Sequence, residues 1–182
     1  MGPPGAGKGT QAVGIAKRLG IPHISTGELF RQQMAAGTSL GAEVADYIHR
    51  GEYVPDRITT SMLFLRLQQA DCAPGFLLDG YPRTLSQITA LDGMLTSHGQ
   101  SIDVVVELTV NTEQLIARLS KRAQEQGRAD DGEEVIRRRM EVYGEQTAPL
   151  TALYQSRGVL VEVDGLGSVD DVSERIFTAL DS

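Results

Sequence analysis

At 182 residues the chain can bury a core as one domain, or one domain with small inserts, and its 41% hydrophobic content includes no run long enough to cross a membrane, so a soluble protein is expected. A net charge of −7 argues against a nucleic-acid backbone as partner and leaves any anionic ligand dependent on locally placed cations. Cys72 stands alone, which rules out an internal disulfide framework, and with no charged-then-apolar leader the setting expected is reducing and cytoplasmic.

The chain opens on Gly2-Pro3-Pro4-Gly5-Ala6-Gly7-Lys8-Gly9-Thr10, a glycine-rich phosphate cradle. Glycines let successive backbone N–H groups turn inward around an anion, and Lys8 adds a point charge for the outer phosphates. The pattern departs from G-x-x-x-x-G-K-[ST], because Gly9 follows Lys8 and the hydroxyl arrives one place later at Thr10. Ala12, Ile15, Ala16 and Leu19 predict an amphipathic helix ending at Gly20, with its N-terminal amides and partial positive charge aimed at the same phosphate. Such a cradle ordinarily links a buried strand to its helix, yet only Met1 precedes Gly2, which points to a shifted start site or a truncation. Each apolar strand residue buried is worth roughly 1.5–3 kcal/mol, so the loss of that strand is expected to cost much of the fold.

Short apolar runs alternate with helical patterns from here on, the arrangement of a parallel α/β sheet. Strands are expected at Pro22–Ile24, Phe76–Asp79, Val104–Leu108 and Val159–Val163, five in all with the one before the cradle. Ser25-Thr26-Gly27-Glu28 has the form of a capping box opening a helix to about Gly37, and a second helix runs from Thr38 to Gly51. This pair reads as a helical insert that moves as a unit. A helix from Asp56 carries Ile58, Met62, Leu65 and Leu67 toward the Ala73-Pro74-Gly75 turn. Asp79 ends the next strand, where an acid near a phosphate cradle suits Mg²⁺, held directly or through water; alone, an Asp there is more often a turn former. After Gly80-Tyr81-Pro82-Arg83 a helix with Gln87, Ile88, Leu91 and Leu95 leads to Gly99. Asn111-Thr112 starts a helix on which Arg118 and Arg122 share a face, and Gly127 to Asp131 is a polar loop that adds Arg128. A second capping box at Asp131 to Glu134 opens a helix with Ile136, Arg139, Met140 and Tyr143, which Pro149 interrupts. The last strand, the Gly165-Leu166-Gly167 turn and a helix from Ser168 complete the chain. His23, His49 and His98 are scattered and read as structural or surface residues.

Taken in order, GPPGAGKGTQ, HISTGELFR, GFLLDGYPRTLSQ, RLSKR, GRADD, IRRRMEVY and TAPL resemble the adenylate kinases over essentially the whole chain. The resemblance implies a three-layer P-loop nucleoside-monophosphate-kinase fold with a core of 1–24, 55–120 and 131–182, a monophosphate-binding helical insert at 25–54 and a short lid at 121–130. A lid without cysteines holds no structural zinc. Carried over by position, Gly5, Ala6, Gly7, Lys8, Gly9 and Thr10 hold the ATP phosphates, and Arg31 and Arg83 grip the AMP phosphate. Arg118, Arg122, Arg128 and Arg139 surround ATP and the transferred group, Arg128 and Arg139 reaching the AMP side as well. Val54 and Gly80 line the AMP site, and Asp79 orients Mg²⁺ through water. Thr26 and Gln87 match the positions that read adenine, whereas UMP/CMP kinases tend to carry alanine at the first and an asparagine-rich stretch in place of Thr84-Leu85-Ser86-Gln87. The activity implied is Mg²⁺-dependent, reversible conversion of ATP and AMP to two ADP by a monomer. A UMP/CMP-type kinase is the nearest alternative, and a nucleotide-binding protein without activity is the rival of another class.

Overall fold

A computed structural model of the chain describes residues 1–111, 115, 118–119 and 133–181. Helix α1 (Lys8–Leu19) buries Gln11, Ala12, Ile15 and Ala16, ends at left-handed Gly20, and leaves Leu19 exposed at its last turn. Strands β1 (His23–Ser25) and β2 (Leu77–Asp79) pair in parallel, with His23 opposite Leu77 and Ser25 opposite Asp79. Strands β3 (Val105–Thr109) and β4 (Leu160–Asp164) form a second parallel pair, with Val105 opposite Leu160. The expected α/β class with parallel pairing is therefore present, as two pairs among the described residues rather than one sheet of about five strands. Beside β3 lies the backbone of Met1, whose amino group donates to the Val106 carbonyl and whose own carbonyl accepts from Leu108 N–H at 3.1 Å. That is a single residue's worth of parallel ladder on the outer edge of β3.

Each ladder begins one residue later than the apolar runs suggest. Pro22 and Val159 contribute only a carbonyl, accepting from Leu77 and Val105 N–H at 2.9 and 2.8 Å, so they flank the strands rather than belong to them.

Helices α2 (Thr26–Ala35) and α3 (Ser39–His49) cross so closely that a Cβ on Gly41 would stand 2.2 Å from the Gln33 carbonyl oxygen. They share a small core of Phe30, Val44, Val54 and Ile58 with α4 (Asp56–Leu67). The expected capping box at Ser25 does not form: Ser25 is the N-cap, but its side chain makes no cap bond, being the last residue of β1 and turned into the cleft. Thr38 caps α3 instead, accepting from Gly41 N–H at 2.9 Å. On α4 the buried face runs through Ile58, Thr59 and Leu63, and Leu65 is exposed, because the helix is covered on one side only. Helix α5 (Leu85–Ser97) buries Gln87, Ile88, Leu91 and Leu95 as its spacing requires, and Leu91 and Leu95 pack with Ile24, Leu63, Cys72 and Tyr81.

Helix α6 (Glu133–Val142) runs into a wide turn of π type at Tyr143–Thr147, and α7 (Leu150–Ser156) restarts after Pro149, the expected interruption. Helix α8 (Val169–Leu180) opens with a true capping box, Ser168 and Asp171 each accepting from the other's backbone N–H. It closes the core of Ala6, Ile15, Leu108, Leu115, Val163, Val172 and Ile176. Thr112 of the expected helix start, Asp131 and Gly132 of the expected capping box and the whole lid at 121–130 lie outside the described residues. No helix among the described residues is long and apolar enough to cross a membrane.

Candidate active site

The cradle is shaped by what its glycines leave out. A Cβ on Gly5 would meet Leu119 Cγ at 2.9 Å, so the loop sits directly on the helical segment that carries Leu115, Arg118 and Leu119. Gly7 is the left-handed N-cap of α1, and the amide of Gln11 returns to its carbonyl at 3.1 Å. A Cβ on Gly9 would come within 3.3 Å of Asp79 Oδ2. The departure from the usual phosphate-loop pattern thus places a residue without a side chain where the carboxylate ending β2 approaches. Lys8 Nζ donates to the carbonyls of Gly2 and Pro3 at 2.7 and 2.8 Å, arching back over its own loop.

Asp79 lines the cleft with its side chain 15% exposed. Burial pushes its carboxyl upward, but His23 together with the charges of Lys8 and Arg83 outweighs this and holds it below the usual carboxylate range. His23 Nε2 stands 3.4 Å from Asp79 Oδ2, at ion-pair distance but without the alignment of a hydrogen bond, and the buried nitrogen has no other partner among the described residues. An ionised acid is therefore kept beside the cradle.

A second group of cations faces the same cleft. Arg83 Nε donates to the Gly80 carbonyl at 2.7 Å, and its guanidinium lies 5.0 Å from the centre of the Tyr53 ring. Thr26 Oγ1 donates to that same Gly80 carbonyl at 3.0 Å. Arg31 folds over Gly27, where a Cβ would approach its Nη1 to 3.3 Å. Gln87, 2% exposed, accepts from Arg83 N–H at 2.7 Å and donates to Asp56 Oδ1 at 2.6 Å, while Thr84 donates to Asp56 Oδ2 at 2.7 Å. Asp56, the first residue of α4, thereby anchors both the cap and the amide of α5.

The far wall is the turn after β4. Gly165 N–H donates to the Thr109 carbonyl at 2.8 Å, and Arg118 Nη2 donates to the Gly165 carbonyl at 3.0 Å. Arg175 holds the outside of the turn through the carbonyls of Asp164 and Leu166. One cleft of about 940 Å³ is lined by all of these groups: residues 5–10 of the cradle, Thr26, Arg31, Val54, Asp79, Gly80, Arg83, Gln87, Arg118 and Arg139. The volume lies at the upper end for small-molecule sites.

Residues 1–159 match the family model described as adenylate kinase. The chain belongs to the adenylate kinase family. Among its relatives, a protein named adenylate kinase from Clavibacter michiganensis subsp. michiganensis is 54% identical over 180 residues, covering 99% of this chain and 90% of the relative. One from Nocardioides sp. is 55% identical over 181 residues, 100% of this chain and 95% of the relative. A third, from Stenotrophomonas maltophilia, is 50% identical over 180 residues, 99% of this chain and 96% of the relative.

Within this adenylate kinase chain, every sequence-predicted site residue that is described lines the one cleft; Arg122 and Arg128 lie outside the described residues. Sequence reasoning passed over four contributors. His23 reads as a structural or surface residue and in the fold faces Asp79, and the turn at Gly165 to Gly167 reads as a plain connection but forms a wall. Tyr53 and Thr147 were assigned nothing, and both contact the Arg83 segment. Two of them carry a sequence signal, since His23 opens the HISTGELFR run and Thr147 the TAPL run.

Proposed function

We propose that this cleft transfers a phosphoryl group reversibly from ATP to AMP, giving two ADP. The observation that carries the reading is that one continuous cleft holds both a phosphate cradle around Lys8 and a separate cationic group, Arg31 and Arg83, so two phosphorylated ligands have a place at once. An AMP phosphate is already an anionic nucleophile, so no general base is called for and catalysis is positioning plus charge neutralisation. The cradle N–H groups and Lys8 hold the outer ATP phosphates. Arg31 and Arg83 align the AMP phosphate, and Arg118, Arg122, Arg128 and Arg139 neutralise the group in transit, with forks that stay charged and bind phosphate oxygens in pairs.

The described residues include no cluster of three or more metal-ligating side chains. The donor set nonetheless fits Mg²⁺, which keeps several waters and takes one or two carboxylates along with the substrate phosphates. Asp79, held ionised by His23, Lys8 and Arg83, is the residue to hold those waters, and the ion would supply charge neutralisation at the phosphates. Residues 25–54 form the part that closes on AMP, and 121–130 form a lid that keeps water from the phosphoryl group. The enzyme acts as a cytoplasmic monomer.

Thr26 and Gln87 favour adenine over a pyrimidine in the acceptor site. Coupled ADP formation from MgATP with AMP, UMP or CMP tests this. Turnover with AMP alone, abolished by EDTA and restored by Mg²⁺, is the expected result. Turnover with UMP or CMP would replace the acceptor assignment, and nucleotide binding without turnover would mean a binding protein.

A further inference from the structure

Arg83 is held from an unexpected direction, across the end of the helical insert. Thr147 Oγ1 donates to the Arg83 carbonyl at 2.9 Å, and 2.7 Å away stands the hydroxyl of Tyr53. A threonine hydroxyl has one proton. With that proton given to Arg83, the Tyr53 O–H is the donor in the second bond, and the three groups form one directed chain from Tyr53 through Thr147 to Arg83. The Tyr53 ring also lies under the guanidinium at 5.0 Å, within cation–π range. Tyr53 thus touches Arg83 at both ends, the backbone by way of Thr147 and the guanidinium by its face.

The elements that meet here are distant in sequence. Tyr53 belongs to the strap leaving the insert, between Gly51 and buried Val54. Thr147, 5% exposed, ends the wide turn that follows α6. The strap is pressed on α6 as well, since a Cβ on Gly51 would stand 2.8 Å from the Val135 carbonyl oxygen. The π-type turn carries Thr147 inward at the point where the helix would otherwise continue, a geometry that recurs at functional sites.

We propose that Tyr53 is a positioning residue for Arg83, setting where the guanidinium meets the phosphate of the acceptor nucleotide and tying that position to the strap of the helical insert. The inference rests on the reading of this cleft as a phosphoryl-transfer site with Arg83 on the acceptor phosphate. Tyr53 itself takes no part in bond making. Its ring stacks against a cation that then needs only a phosphate in front of it, and its hydroxyl fixes the main chain from which that cation extends. The strap cannot shift without shifting Arg83.

The test uses the full chain with Tyr53→Phe, Tyr53→Leu, Thr147→Val and the pair Tyr53→Phe/Thr147→Val. Four quantities are read: kcat, KM for AMP, KM for ATP, and the Kd of AMP by calorimetry, with urea unfolding alongside. Tyr53→Leu, which loses ring and hydroxyl together, should raise KM and Kd for AMP about tenfold, while KM for ATP stays within about twofold. Tyr53→Phe keeps the ring and should recover part of that loss, leaving a rise of about threefold. The pair should be no worse than Thr147→Val alone, because both substitutions cut one chain of hydrogen bonds. Parallel rises in both KM values that track lost stability would make Tyr53 a packing residue and overturn the proposal, as would an unchanged KM for AMP in Tyr53→Leu. If the unsubstituted chain binds AMP without turning it over, the functional reading falls, while the Kd series still decides the role of Tyr53. If it neither binds nor turns over AMP, both fall.

Discussion

Gly80 offers a direct test of how the acceptor side is built. Its φ is +81°, and an added Cβ would stand 2.8 Å from Thr26 Oγ1 and 2.9 Å from Arg83 Nη2. Gly99 is a matched control, with φ +69° and nothing within 4 Å of the same added atom. Alanine at either position carries the left-handed penalty of about 1–2 kcal/mol. At Gly80 the methyl must also drive Thr26 and Arg83 away from the Gly80 carbonyl, to which they donate at 3.0 and 2.7 Å. Each bond lost adds about 0.5–1.5 kcal/mol, so Gly80→Ala should cost about 2–5 kcal/mol against about 1–2 for Gly99→Ala. Urea unfolding measures the difference, and for a chain of this size each kcal/mol lowers Tm by about 2–4 °C. The kinetic signature separates the two further: KM for AMP should rise in Gly80→Ala and stay unchanged in Gly99→Ala. Equal losses of stability, or an unaltered KM for AMP in Gly80→Ala, would show that Thr26 and Arg83 are not held at this carbonyl.

Two more outcomes follow from the neighbourhood of Asp79. Gly9→Ala places a methyl 3.3 Å from Asp79 Oδ2, and it should lower kcat about tenfold while stability changes by no more than about 0.5 kcal/mol; an unchanged kcat would refute the link between this contact and the reaction. Asp79 has a folded-state pKa below its ordinary 3.8, so its ionised form contributes stability that is complete above the unfolded value and is lost as pH falls through the folded one. The stability gap between the unsubstituted chain and Asp79→Asn should therefore be level near neutral pH and change only below about pH 4, and a urea series showing a constant gap down to acid would contradict this.

Much of this molecule can be read from its amino acids, because the strongest signals are local. Alternating apolar runs and helical stripes give parallel pairs in an α/β frame, and the stripe on α5 is buried residue for residue. Ser25-Thr26-Gly27-Glu28 has the letters of a capping box, yet pairing with Asp79 in β1 turns the serine to another use. Ser168 and Asp171, with a less familiar acid in the third place, do form one. Leu65 fits a helical stripe and is exposed, since the covering surface that decides which face is buried comes from elsewhere in the chain. In the cleft, residues with phosphate-binding or base-reading chemistry are legible, whereas His23 and Thr147, though inside the HISTGELFR and TAPL runs, and Tyr53, outside any run, show their contacts only in the fold. Tyr53 and Thr147 stand 94 positions apart, and nothing in either neighbourhood announces the other.

Gln87 reaches the cleft with its amide already engaged, donating to Asp56 and accepting from the main chain of Arg83. In the proposed acceptor site a nucleobase would meet the amide's second N–H and remaining lone pair, or exchange with the carboxylate of Asp56. Where it exchanges, the correct base would match what Asp56 provides and a wrong one would fail to compensate for its removal. Exchanges of that kind differ by about the net value of one hydrogen bond, roughly 0.5–1.5 kcal/mol, against about 1–3 kcal/mol for leaving a buried amide unsatisfied. In the proposed acceptor site Asp56 holds in place, through Gln87 and Thr84, the amide that would read the base.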